Sequence, residues 1–174
     1  MRRSTFNKHI DQLGEDELRE ELGVLYSKFE AVRTYYSMEL GSEKDRQKRY
    51  ESAKKEIRAK YATKSYRKPR RPRIQKINKI LSELKKMSVF GFEMIDIYLF
   101  NVEEGLKFMK EYNFYSSPLF NILNNTFEKA LILIKDSRME DQYAPKVEKI
   151  LKDSRIDFEL HLIFQKKAIR LYDQ

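Results

Sequence analysis

Apolar residues recur every three or four positions along most of this chain and nowhere alternate over the length of a strand. Leu18, Leu22, Leu25, Phe29, Val32 and Tyr36 give the cleanest case, stepping by four and three. A helix places such positions on one face, whereas a strand needs period two. The period returns at Ile74, Ile77, Ile80, Leu81 and Leu84, then at Ile95, Tyr98, Leu99, Val102, Leu106 and Met109. It continues at Leu119, Ile122, Leu123, Phe127, Ala130, Leu131 and Ile134, and at Leu160, Ile163, Phe164 and Leu171. Five glycines and four prolines in 174 residues are too few for the turns of a sandwich or barrel. The spacing therefore predicts an all-α fold of about eight helices, with short connections that favour antiparallel neighbours.

Local signals set the boundaries. Ser4 reads as the N-cap of a short helix bearing Phe6, Ile10 and Leu13. Gly14 interrupts it, and Glu15, Asp16 and Glu17 suit the first turn of one long helix that runs to Leu40, with Gly41 closing it. Ser42 and Asp45 open a third helix to about Tyr61, whose thin apolar face is Tyr50, Ala53, Ile57 and Tyr61. Pro69 and Pro72 interrupt any period between Ala62 and Arg73. The expected organisation is thus a helical part over 1–61, a basic hinge over 62–73 and a helical array over 74–174, with packing as one domain left open. Lone Gly23 and Gly105 are read as points of close helix packing.

Charge narrows the function. The net charge is +9, but residues 44–79 hold 16 Lys/Arg against three acids, while the remainder holds 20 against 24. A basic middle between mildly acidic ends concentrates the field where an anion docks. Lys64, Arg67, Lys68, Arg70, Arg71 and Arg73 are expected to contact the phosphates of a nucleic acid, with Lys55, Arg58 and Lys60 extending the patch. Tyr61 and Tyr66 could stack on an exposed base. The competing expectation is a solvated linker in a protein-interaction scaffold, or a homodimer formed through the Leu18–Tyr36 stripe. The amino-terminal helix pair resembles a DNA-binding hairpin only loosely, because six acids between Asp11 and Glu21 would repel phosphate.

Other chemistries find less support. No cysteine is present, which removes disulfides, thiolate metal sites and cysteine nucleophiles and points to a reducing compartment. The longest apolar run, Ala130 to Ile134, is five residues, and no apolar segment follows Arg2 and Arg3, so a cytoplasmic protein without a membrane partner is expected. Asp157 and His161 at i, i+4 make half a metal site and read better as a helix-end interaction. Glu93 with Asp96 and Glu103 with Glu104 lack the Glu-x-x-His partners of a di-metal bundle, and Glu103 is spaced to pair with Lys107. Phe108, Tyr112, Phe114, Tyr115 and Phe120 are expected to close the end of a helical hairpin. No phosphate loop, serine elbow or zinc spacing appears, so no catalytic residue, metal or cofactor is expected.

The short lead helix, the Asp16-Glu17-Leu18 helix start and the Val32-Arg33-Thr34-Tyr35-Tyr36 helix end together resemble a bacterial family known as a domain of unknown function. The basic-proline stretch Arg67 to Arg73 followed by Ile74-Gln75-Lys76 is similar as well. The resemblance implies an all-helical protein of the bacterial cytoplasm and carries no substrate, cofactor or catalytic residue.

Overall fold

A computed structural model describes residues 1–63, 67, 69–87 and 91–172, with the side chains of Leu171 and Tyr172 excepted. Among these residues the chain is entirely helical, with nine α-helices, one 3-10 turn and no strand. It forms two compact units, Met1–Ser42 and Glu43–Gln174.

The first unit contains α1 (Arg3–Ile10), α2 (Glu15–Lys28) and α3 (Glu30–Glu39). Helix α1 begins one residue before Ser4, and its cap, Arg2, makes no side-chain capping bond, so the expected Ser4 cap is not formed. Gly14 caps α2 through its backbone, whose N–H donates to Glu17 Oε2 at 2.8 Å. The single long helix expected from Glu15 to Leu40 is broken at Phe29, which is extended at φ −114°, ψ 117°. Neither Gly nor Pro marks the break. Arg33 Nη1 instead donates to the carbonyls of Tyr26 (3.1 Å) and Ser27 (2.7 Å), satisfying acceptors that an uninterrupted helix would have satisfied itself. The rings of Tyr26 and Tyr36 meet across the break at 6.5 Å.

The second unit is built around α6 (Glu93–Tyr112), which packs against α4 (Glu43–Tyr61), α5 (Ile74–Met87), α7 (Ser117–Asp136) and α8 (Glu140–Asp153). A 3-10 turn, Ser154–Ile156, leads into α9 (Phe158–Tyr172), which packs on α7 and α8. The periodicities predict this core well. The thin face of α4, Tyr50, Ala53, Ile57 and Tyr61, is buried in full, as are the predicted apolar faces of α6 and α7. Asn113 ends α6 in the left-handed conformation, at φ 46°, and Pro118 sits in the first turn of α7, where its missing N–H costs nothing.

Helices α6 and α7 pack closely. An ideal Cβ on Gly105 would lie 2.3 Å from Leu123 Cδ2, so the glycine lets the two helices touch. Gly23 has nothing within 4 Å of such a Cβ, and the expectation of close packing there fails. Three helices are also joined by a buried polar chain. Tyr61 Oη donates to Asn101 Oδ1 (2.9 Å), Asn101 Nδ2 to Thr126 Oγ1 (3.2 Å), and the Thr126 hydroxyl to the Ile122 carbonyl (2.7 Å). Every member is satisfied, which buried polar groups require.

Candidate nucleic-acid interface

The predicted basic residues fall into two groups. Lys55 and Arg58, three apart on α4, share one side of the helix, and both are exposed. Lys60 lies roughly 200° further round, on the side that turns toward α5. There its carbonyl accepts the Arg73 N–H at 3.2 Å, so the end of α4 and the approach to α5 are held together. Within the intervening segment the Arg70 N–H donates to Thr63 Oγ1 at 2.9 Å. Arg67, Arg70 and Arg71 are exposed and Arg73 is partly so. Lys64 and Lys68, along with Tyr66, lie outside the described residues. Lys55, Lys60, Arg67, Arg70, Arg71 and Arg73 make no ion pair among the described residues.

Four cations are instead drawn onto the acids of α6. Glu93, Asp96, Glu103 and Glu104 of α6 lie within roughly 100° of its circumference and divide between two neighbours. On the α4 side, Arg46 Nε meets Glu93 Oε1 at 3.0 Å and Arg58 Nε meets Glu104 Oε1 at 3.1 Å. On the α8 side, Lys146 meets Asp96 at 2.8 Å and Lys149 meets Glu103 at 2.9 Å. The predicted Glu103–Lys107 pair gives way to this interhelical one. Tyr50 and Tyr143 donate to Glu93 (2.8 Å) and Asp96 (3.2 Å). Burial works against ionisation of Asp96, but the bond and charge of Lys146, the charge of Lys54 and the Tyr143 hydroxyl outweigh it, and its pKa is lowered. These carboxylates therefore clamp helices. The acids at 93, 96, 103 and 104 share one helix face in the sequence, which is a legible ridge, but their partners 43 to 50 residues away are not readable from spacing.

Arg58 consequently has two roles. Its Nε is committed to Glu104 and its guanidinium lies 5.0 Å from the centroid of the Phe100 ring, yet the side chain is still 60% exposed. Its remaining N–H groups stay on the surface beside Lys55. Tyr61 does not fit its expected role as a stacking platform. It is buried against Phe108, with ring centroids 6.1 Å apart, and its hydroxyl is spent on Asn101. Burial first, then the charge of Glu104, pushes its pKa upward.

The minor candidates resolve into structure. Asp157 Oδ1 accepts the Leu160 N–H at 2.8 Å and so caps α9, and no group of three or more metal-binding side chains occurs among the described residues. His161 Nδ1 lies 2.9 Å from Ser154 Oγ, a pairing that the sequence spacing does not reveal. It is not a nucleophile–base pair. The serine is fully buried, and its hydroxyl also bonds the Leu151 carbonyl at 2.8 Å, so it is not presented to a substrate. Phe108 is buried between Tyr61, Tyr112 and Phe114 as expected, whereas Tyr115 is exposed. Among the described residues no helix is long and apolar enough to cross a membrane.

Set against known proteins, residues 1–173 match the model of a family whose function is unknown. No curated protein and no solved structure matches the chain.

Proposed function

The chain belongs to DUF6155, a family of unknown function, and from its own residues we propose that it is a non-catalytic helical protein that binds the phosphate backbone of nucleic acid through its basic central segment. One observation carries the reading. Six basic side chains between Lys55 and Arg73 have no acidic partner among the described residues, so cations without local acids are concentrated in one short stretch of the chain. Cations left without local acids keep their field for a polyanion and release its counterions when they bind. Arginine dominates residues 67–73, and its planar fork matches phosphate oxygens. Such interactions hold a backbone and read no sequence.

The test is a salt titration of binding to labelled single- and double-stranded DNA and RNA. Wild type is compared with a variant carrying Arg67, Lys68, Arg70 and Arg71 all changed to Gln. Each phosphate interaction removed should reduce the slope of log K against log salt by roughly 0.7–0.9. Binding no tighter than that of an unrelated protein of equal charge refutes the proposal.

The second reading, a protein-interaction scaffold or homodimer, draws on the first unit. There Leu22, Phe29 and Leu40 are exposed, and neither α1 nor α2 has a buried residue. Sedimentation equilibrium over a wide concentration range distinguishes it, since a lone monomer throughout excludes self-association through this face.

A further inference from the structure

A surface groove lies where α5, α6 and α7 meet, away from the basic segment. It encloses about 300 Å³, its floor is Met94 and Tyr98, and its walls are Ile132 and Leu133. Lys85 and Lys129 stand on its rim. Ile132 is 53% exposed and also borders a second hollow of about 140 Å³, whose lining includes Lys135, Lys167 and Arg170. The sole acid lining either hollow among the described residues is Glu128, and it is paired with Lys167 at 2.8 Å. Ile132 thus joins two hollows whose rim carries Lys85, Lys129 and Arg170, none of which has an acidic partner among the described residues, so the surface is complementary to an acidic partner.

Tyr98 supplies a second, independent observation. It is 3% exposed, and its hydroxyl makes no hydrogen bond among the described residues, although the ring lines the groove. Since no buried polar atom is left unsatisfied among the described residues, this hydroxyl faces the open side of the groove, where a polar group of a bound partner can reach it.

We infer that this groove docks an amphipathic helix of a partner protein, one whose apolar stripe is flanked by glutamates or aspartates. Two apolar side chains one helical turn apart, with Cβ atoms about 6 Å apart, would fill the two hollows on either side of Ile132. Acids flanking them would meet Lys85 and Lys129 at one end and Arg170 at the other. The Tyr98 hydroxyl would gain a polar group of the incoming helix. The paired hollows favour a helix over a small amphiphile, which would need only one of them.

The experiment uses the full chain and two labelled synthetic helical peptides, with leucines at i, i+4 and i+7 flanked either by glutamates or by lysines. The acid-flanked peptide should bind and its twin should not. Ile132→Glu, a change at an exposed position that leaves the core alone, should weaken binding by about tenfold or more. Lys85→Glu combined with Lys129→Glu should reverse the preference between the peptides. Tyr98→Phe should weaken binding by a smaller factor while retaining the ring. Equal binding of both peptides, or indifference to Ile132→Glu, overturns the inference. So does binding of dodecanoate in this groove when neither peptide binds, which would make it a small-amphiphile site. Binding of labelled RNA that is abolished by Ile132→Glu and unaffected by the Arg67–Arg71 changes would overturn it too, by assigning the groove to nucleic acid.

Discussion

Gly105 and Gly23 both lie inside helices, and their replacement by alanine should have opposite effects. Alanine favours a helix over glycine by about 1 kcal/mol, so helix propensity alone stabilises both variants. At Gly23 nothing lies within 4 Å of the new methyl, and the propensity gain stands, at about 0.5–1 kcal/mol. At Gly105 the methyl would sit 2.3 Å from Leu123 Cδ2, 3.1 Å from Cδ1 and 3.2 Å from Cγ. Carbon atoms prefer separations of about 3.5–4.0 Å, so Leu123 has to withdraw by about 1 Å, and turning its end alone does not suffice because Cγ is crowded too. Leu123 is fully buried, and such overpacking costs about 1–3 kcal/mol, which exceeds the propensity gain. Gly105→Ala should therefore destabilise the second unit by up to about 2 kcal/mol. Urea unfolding followed by circular dichroism measures this as a lower midpoint at constant slope, each variant being read on the transition of the unit that carries it. Leu123→Ala should cost less in the Gly105→Ala background than alone, because the new methyl occupies part of the cavity. If Gly105→Ala raised stability as Gly23→Ala does, the close approach of α6 and α7 would be refuted.

Three further outcomes follow from the polar groups of the second unit. Asn101→Leu strands the Tyr61 hydroxyl and should cost about 2–3 kcal/mol by chemical denaturation, part of which Tyr61→Phe in the same chain restores. The lowered pKa of Asp96 contributes stability that is present above its unfolded value and lost as pH falls through its folded value; Asp96→Asn should flatten the acid limb of a stability profile below about pH 4, by only about 0.2–1 kcal/mol because the pair is half exposed. Burial, then the charge and hydrogen bond of Asp96, push Tyr143 up to about 12, so its contribution is present below the unfolded value near pH 10 and lost as pH rises toward 12; Tyr143→Phe should make thermal midpoints less sensitive to pH across that window.

The core was readable because burial imposes a period. Tyr50, Ala53, Ile57 and Tyr61 are isolated among charged residues, yet their spacing alone predicts the buried face of α4. The break at Phe29 was not readable, since no residue there resists helix and the decisive bonds come from Arg33, four positions away. For the candidate site, the excess of basic residues was plain, but its sorting was not. Arg58 and Lys55 look equivalent in sequence, and only the arrival of Glu104 from α6 distinguishes them. Tyr61 likewise reads as an aromatic beside a basic cluster, and only the fourfold step back to Ile57 and Ala53 hints that it belongs inside.

The chain from Tyr61 through Asn101 to Thr126 has a consequence for alignment. Helices joined only by Leu, Ile and Phe can slide past one another by a turn, about 5.4 Å, and still bury comparable area. A slide of α7 along α6 would part the Asn101 amide from Thr126 and drive Leu123 out of the notch at Gly105, so both a polar and a steric stop oppose it. The two stops lie four residues apart on α6, and together they act as a vernier that fixes where every other side chain of α7 stands. The distance between Ile132 on the outside of α7 and Tyr98 on α6 is thus gauged from within the core, by atoms that no partner ever reaches.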